Sequence, residues 1–232
     1  MHSILAAAFA LAVAVPAAAQ TFAWDFASGT LPTAAGWSEV NDDDVPLGLT
    51  PDGLLIGPST RSGSAGYLYD LDSLYVPGSP VSIEATLRII DTTSGDQGGI
   101  LRSGYTLAFV ENTGRGAVIQ FANDGVTLVT TDGSVTSPTF AFDTTSAFNT
   151  YRLDIADASA TVSINGIEVL SSSQLGGLGL GPTRAFFGDL TILGNSESIT
   201  RSVTLSIPSP PAAATLLVLG VIQPRRRAIG RA

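Results

Sequence analysis

The chain has 232 residues, 44% of them hydrophobic, with 20 acidic against 11 basic side chains and a formal net charge of −9. It contains no Cys and no Lys, and its one histidine is His2. A disulfide framework, a thiolate nucleophile and a lysine Schiff base are therefore excluded, and beyond His2 so are a Ser-His-Asp triad and a His or Cys zinc site. Carboxylate chemistry and calcium ligation by oxygen remain.

The first segment, "MHSILAAAFALAVAVPAAAQ", is apolar from Ile4 to Val15 and ends on Ala17, Ala18 and Ala19 before Gln20. That layout predicts a secretory signal helix over residues 1–19 with an Ala-x-Ala cleavage site, and hence an exported protein. No Lys or Arg precedes the apolar run, so the N-terminal amine supplies the positive charge.

The body, residues 20–207, has the length of one domain with a single core. It holds all twenty acidic residues and seven arginines, a net −13. Such a charge excludes nucleic acid as the expected partner, because phosphate binding needs a basic surface.

Strand signals follow one another through it. In "VSIEATLRIID", Ile83, Ala85, Leu87 and Ile89 alternate with Ser82, Glu84, Thr86 and Arg88, the pattern of a strand with one buried face. "SGYTLAFVEN" repeats it with Tyr105, Leu107 and Phe109 on one side, and turn formers bound "RGAVIQFAND" and "DGVTLVTTDG". Tyr151, Leu153 and Ile155 alternate in the next strand, and Val162 and Ile164 lead into Asn165-Gly166, a hairpin signal. The Gly/Ser-rich "STRSGSAGYLYDLDS" and "SSSQLGGLGLGPT" read as loops, with Tyr67 and Tyr69 opening a further strand. No stretch has helical spacing, so the prediction is an all-β, two-sheet antiparallel sandwich.

These strands together resemble the concanavalin A-like lectin/glucanase superfamily, in particular its laminin G-like branch. The resemblance rests on "FAWDFASGTLPTAAGWSEV", "VSIEATLRII", "GGILRSGYTLAFVENTGRGAVIQFANDG", "FNTYRLDIADASATVSINGIEVL" and "AFFGDLTILGNSESITRSVTLSI". It implies a jelly-roll topology in which the segment after Phe187-Gly188-Asp189 is a last strand that pairs near the N-terminus. It also implies a structural calcium near the terminal strands, to which Asp25 and Asp189 could contribute.

The tail, residues 208–232, resembles a PEP-CTERM sorting signal. Pro208-Ser209-Pro210 stands where the family has Pro-Glu-Pro, Ala212 to Ile222 forms the apolar segment, and Arg225, Arg226 and Arg227 form the basic end. The resemblance implies a hydrophobic sorting helix and transient anchoring at the inner membrane. Its implied partner is an exosortase-type processing enzyme, which would release the body to the cell surface or extracellular matrix. Basic residues held on the cytoplasmic side agree with that orientation. The apolar segment is about half of the roughly twenty residues a spanning helix needs, so a peripheral anchor or a frayed tail is the competing reading.

Candidate sites are few. Asn41-Asp42-Asp43-Asp44 offers carboxylates to a calcium ion, with Asp42 and Asp44 the expected ligands beside Asp25 and Asp189; a solvated acidic turn is the alternative. For a glycan, Trp37, Tyr67 and Tyr105 are expected platforms, and Arg61 and Arg102 expected hydrogen-bonding partners, with Tyr69, Glu111 and Asn112 nearby in sequence. Each aromatic could instead be core. Glycanase relatives of this fold carry Glu-x-Asp-x-x-Glu on one strand, and Glu84, Glu111 and Glu168 show no such pair. The expectation is a non-catalytic surface or matrix protein whose sandwich binds polysaccharide. An adhesive scaffold without sugar binding is the second reading, and a glycoside hydrolase the third.

Overall fold

The computed structural model describes residues 19–42, 44–59, 64–93, 95–97, 100–102, 104–130, 138–178, 181–189 and 195–208, with backbone alone for 93, 95–97 and 100–102. In chain order the strands are β1 (Ala19–Asp25), β2 (Ser38–Asn41), β3 (Leu47–Thr50), β4 (Gly53–Ile56), β5 (Ala65–Asp70) and β6 (Val81–Thr93). A small hairpin of β7 (Gly95–Gln97) and β8 (Ile100–Arg102) follows, then β9 (Tyr105–Val110), β10 (Gly116–Ala122), β11 (Gly125–Val129) and β12 (Thr139–Ala141). The last five are β13 (Asn149–Ala156), β14 (Ser159–Ile164), β15 (Ile167–Ser172), β16 (Arg184–Asp189) and β17 (Asn195–Pro208).

Two antiparallel sheets result, as the alternating segments predict. One runs β15-β14-β13-β6-β17-β4-β3 with β1 also paired to β17; the other runs β12-β11-β10-β9-β16-β5-β2. Their inner faces close on one core. Ile83, Leu87, Leu153 and Leu205 come from the first sheet, and Leu107, Phe109, Ile119 and Phe187 from the second, each at most 1% exposed. Burying each such side chain contributes about 1.5–3 kcal/mol. Asn165 and Gly166 turn the β14–β15 hairpin with φ of 51° and 80°, the left-handed pair that a two-residue hairpin demands.

β17 holds the first sheet together by pairing with β1, β4 and β6. The expected return of the last strand to the N-terminus is therefore seen, and its ladder extends to Ala19↔Pro208. Those two residues, assigned from sequence to the signal and the tail, are strand residues whose main-chain groups complete the sheet edge. The helices expected within 1–18 and 209–232, including Pro210, Arg225, Arg226 and Arg227, lie outside the described residues.

Two irregularities in the β6/β17 pairing matter below. The register passes from Ser198↔Ile89 to Glu197↔Asp91, leaving Ile90 as an extra residue, and from Thr200↔Leu87 to Ser202↔Thr86, leaving Arg201 as one. Such bulges re-aim side chains. The second also switches the phase of β17: Ser196, Ser198 and Thr200 are buried before it, and Val203, Leu205 and Ile207 after it.

Candidate functional site at the sandwich rim

Most of the predicted glycan platforms belong to the core. Trp37 is 2% exposed, and Tyr67 and Tyr105 are fully buried. Trp37 packs edge-on to Phe187 at 5.1 Å between ring centroids, and Tyr67 stacks on the same ring at 5.5 Å. Burial, then the charge of Glu39, pushes the Tyr67 phenol up to about 12. The Tyr105 hydroxyl lies 2.9 Å from Thr200 Oγ1, also inside, and burial raises its phenol strongly. Rings that are the cheapest way to fill a two-sheet interior cannot also present a face to a sugar. Tyr105→Phe is accordingly expected to cost about 1–2 kcal/mol of stability by stranding the Thr200 hydroxyl. Thermal unfolding and a glycan titration check this together, with sugar binding expected unchanged.

The other predicted residues are dispersed. Arg61 lies outside the described residues, and Arg102 is placed in β8 by its backbone alone. Asp25 ends β1 and accepts from the Ala27 amide at 2.6 Å, capping a 3-10 turn. Asp44 sits at φ 52° in a loop clasped by Asn41, whose amide bonds the Val45 carbonyl at 3.0 Å and accepts its N–H at 2.8 Å. Asp42 precedes Asp44 there, its N–H donating to Ser64. Asp189 is fully buried at the end of β16. Among the described residues no three acidic or His side chains gather as a cation would require, so the expected calcium set of Asp25, Asp42, Asp44 and Asp189 is not assembled there. Asp25 pairs with Ser202 in the first sheet, whereas Asp189 ends a strand of the second.

Glu111 is likewise not a sugar ligand, being 1% exposed. Its carboxylate accepts from the Tyr75 hydroxyl at 2.8 Å, the Gly78 amide at 3.1 Å, the Thr113 hydroxyl at 2.9 Å, and from Arg115 Nη1. Burial alone would raise its pKa, but hydrogen bonds from Tyr75, Arg115, Gly78 and Thr113 outweigh that and hold it below the ordinary value. The cluster ties the Tyr75–Ser79 loop to the end of β9.

What the fold does assemble is a polar pocket of ≈ 110 Å³ where β6 ends and β17 begins, lined by Pro58, Ser59, Asp91, Asn195, Ser196 and Glu197. The Ile90 bulge sets Asp91 directly opposite Glu197, bringing two acids together from positions far apart in sequence. Asn123, in the β10–β11 turn, steadies the first of them: its amide donates to Asp91 Oδ1 at 3.0 Å while its own oxygen accepts from the Thr92 N–H at 2.8 Å. The floor is buried and hydrogen-bonded. Ser59 N–H donates to the Ser196 carbonyl at 2.9 Å, Ser196 N–H to Ser59 Oγ at 2.8 Å, and both hydroxyls to Asp189.

Two glycines let these main chains approach. A Cβ on Gly104 would stand 2.7 Å from the Asn195 carbonyl carbon and 2.8 Å from the Ser196 nitrogen. One on Gly57, which has φ +105°, would enter the Ser196 carbonyl oxygen. The pocket thus offers carboxylates and an amide as acceptors, and Asn195 Oδ1 is buried with no hydrogen-bond partner among the described residues. An acceptor so placed costs free energy until a donor reaches it. Of these residues the sequence singles out Asp189 alone, and as a calcium ligand rather than as part of this pocket; Asp91, Asn195 and Glu197 become neighbours through strand register.

No family model matches the chain, and no curated protein matches it. Among solved structures, a carbohydrate esterase from the Shiga toxin-encoding bacteriophage phi24B is similar with a TM-score of 0.55 and 14% identity, over 82% of this chain and 97% of that one. Crh5 transglycosylase in complex with NAG is similar at TM-score 0.55 and 16% identity, over 84% and 86% of the two chains. A protein of unknown function from Shewanella oneidensis MR-1 reaches 0.53 at 10% identity, over 88% and 92%. At these identities the likeness is one of fold, and it extends over nearly the whole described body: an antiparallel two-sheet sandwich that these proteins share.

Proposed function

We propose that this chain is a non-catalytic glycan-binding jelly-roll sandwich, exported and displayed at the cell surface or in the extracellular matrix, and that it binds sugar at the rim pocket. The observation that carries the proposal is the rim pocket itself, where the register partners Asp91 and Glu197 stand beside Asn195, whose buried Oδ1 has no hydrogen-bond partner among the described residues. Sugar hydroxyls are donors in a compact array, and they complement such a lining. The volume limits the mode. At ≈ 110 Å³ the pocket is far below the roughly 300 Å³ at which a site encloses a drug-sized molecule, so it suits one terminal sugar or an exocyclic group. Two of the structural neighbours, a carbohydrate esterase and a transglycosylase solved with NAG, act on or bind carbohydrate and lend support.

Export and sorting form the rest of the proposal and rest on residues 1–19 and 208–232. The signal-like N-terminus would direct secretion. The tail, with Pro208, Pro210 and Arg225 to Arg227, would hold the chain at the inner membrane for an exosortase-type enzyme.

A glycan array probed with the full chain tests the binding reading, with Asn195→Ala and Glu197→Gln run beside it. Wild type is expected to retain a defined set of glycans and each variant to lose them by about tenfold or more, as removal of a hydrogen bond to a charged or orphaned group implies. A wild-type array with no bound glycan contradicts it. Because Asp91 and Glu197 face each other, the same proteins are assayed for reducing-end release. Turnover by wild type that Glu197→Gln abolishes would replace the binding reading with a carboxylate hydrolase.

A second reading has its own observation. The outer face of the β15-to-β1 sheet is a carpet of hydroxyls: Thr150, Thr161, Ser163, Ser82, Thr86, Thr204 and Ser206 are half-exposed there, with Thr86 and Thr150 joined at 3.0 Å. Among the described residues neither sheet presents an exposed aromatic platform on its face. A scaffold that meets other matrix proteins fits that surface, and it predicts protein–protein adhesion with a silent glycan array.

A further inference from the structure

Phe148 lies just before β13 and is half-buried on the outer face of the first sheet, where two arginines converge on its ring. Arg201 Cζ stands 3.7 Å from the ring centroid and Arg88 Cζ 5.2 Å. Arg201 reaches it because it is the extra residue of the second β6/β17 bulge, and Arg88 lies on the neighbouring strand opposite Ile199. The body around them carries a net charge of −13. Arg115 and Arg152 are ion-paired, but among the described residues no carboxylate lies within 4.0 Å of Arg88 or Arg201.

Their donors are also underused. Among the described residues Arg88 Nε is buried with no acceptor, and Arg201 makes a single hydrogen bond, from Nε to the Asp52 carbonyl at 3.0 Å. The nearest acid in the loop that presents Phe148 is Asp143. It is engaged with its own turn, accepting from the Thr145 amide at 2.9 Å and hydroxyl at 2.8 Å, and these bonds hold it down to about 2. The ring face of Phe148 draws both cations to one spot on the sheet, and a guanidinium held there loses less freedom when it forms a bidentate contact with a carboxylate.

We infer that Arg88, Arg201 and Phe148 form an anion site that takes a carboxylate of an acidic glycan lying along the outer face of β17. The inference rests on the glycan-binding reading and deepens it. Glu197 precedes Arg201 by four residues on β17, about 13 Å at strand spacing, so a chain with its terminal sugar in the rim pocket extends over the two arginines within a few sugar units. Acceptors at the rim meet neutral hydroxyls, and the guanidiniums beyond it meet the acid. An acidic segment from a second copy of this chain is the competing occupant.

The test titrates the full chain with tetragalacturonate and with a neutral cello-oligosaccharide of the same length, at low and high salt, and follows self-association by sedimentation. The acidic ligand is expected to bind about tenfold more tightly, with an advantage that salt removes. Arg201→Gln, at an exposed position, is expected to erase that advantage and leave the neutral ligand unchanged. Arg201→Lys keeps the charge but not the planar fork and should restore only part of it. Equal binding of both ligands, insensitive to Arg201→Gln, overturns the anion site and leaves the rim pocket standing. Absence of binding by either ligand overturns both. Self-association that Arg201→Gln abolishes, with no preference for the acidic ligand, assigns the site to a second copy and overturns the glycan inference.

Discussion

Glu111→Ala is expected to lower the stability of the folded chain by about 3–5 kcal/mol, the usual effect of leaving one member of a buried ion pair alone. The carboxylate is 1% exposed and satisfies Tyr75, Gly78, Thr113 and Arg115 at once. Its removal strands a guanidinium that is itself largely buried, and frees the loop it holds. The pH dependence has a definite sign. Because the folded-state pKa of Glu111 is depressed, its contribution is complete above the ordinary carboxylate range and is lost as pH falls through the lower folded value. Urea unfolding at a series of pH values checks both points. The variant curve should be flatter than wild type on the acid side, and parallel curves would remove Glu111 as a source of acid sensitivity.

Gly188→Ala is expected to be at least as damaging, about 3 kcal/mol or more from backbone strain and overpacking together. Gly188 has φ +131° and lies directly opposite Gly66 in the β16/β5 ladder. A Cβ there would stand 2.5 Å from Gly66 Cα and run into the Ala65 carbonyl oxygen. Neither obstacle is a side chain that can swing away. Gly48→Ala supplies the control, since nothing lies within 4 Å of its Cβ and its φ is unremarkable. Its midpoint should match wild type to within a few tenths of a kcal/mol. A small shift for Gly188→Ala would mean that β5 and β16 are not so closely apposed.

The sequence makes the architecture legible wherever one face of a strand is wet. Ile83 to Ile89 and Tyr151 to Ile155 alternate because the opposite face carries Glu84, Arg88, Arg152 and Asp154 to solvent. β9 is harder to read, because Thr106 and Ala108, which face away from the core, are also nearly buried. β17 is harder still. Its first half buries Ser196, Ser198 and Thr200, which look like solvent-facing residues, and the Arg201 bulge then shifts the phase by one. The candidate site shares that difficulty. Nothing in the local sequence of Asp91 announces Glu197, since only the β6/β17 register and the Ile90 bulge bring them together. Trp37, Tyr67 and Tyr105 were open to either reading by residue type, and a core of this size claims them.

The same geometry assigns different work to the acids of the chain. Glu111 and Asp189 are interior hydrogen-bond hubs, Asp25 and Asp143 close turns, and Asp91 and Glu197 face a pocket. Of these acids, the last pair are register partners that also line a pocket, which is the ground for proposing recognition at the rim rather than on a sheet face.

Amide chemical-shift mapping of the full chain during titration with a glycan that it retains tests that placement most directly. Saturable shifts are predicted at Ser59, Asp91, Asn195, Ser196 and Glu197, with the outward residues of β9 to β11, Thr106, Gln120 and Thr127, unmoved. Shifts centred on Thr106, Gln120 and Thr127 instead, with the rim silent, would contradict it.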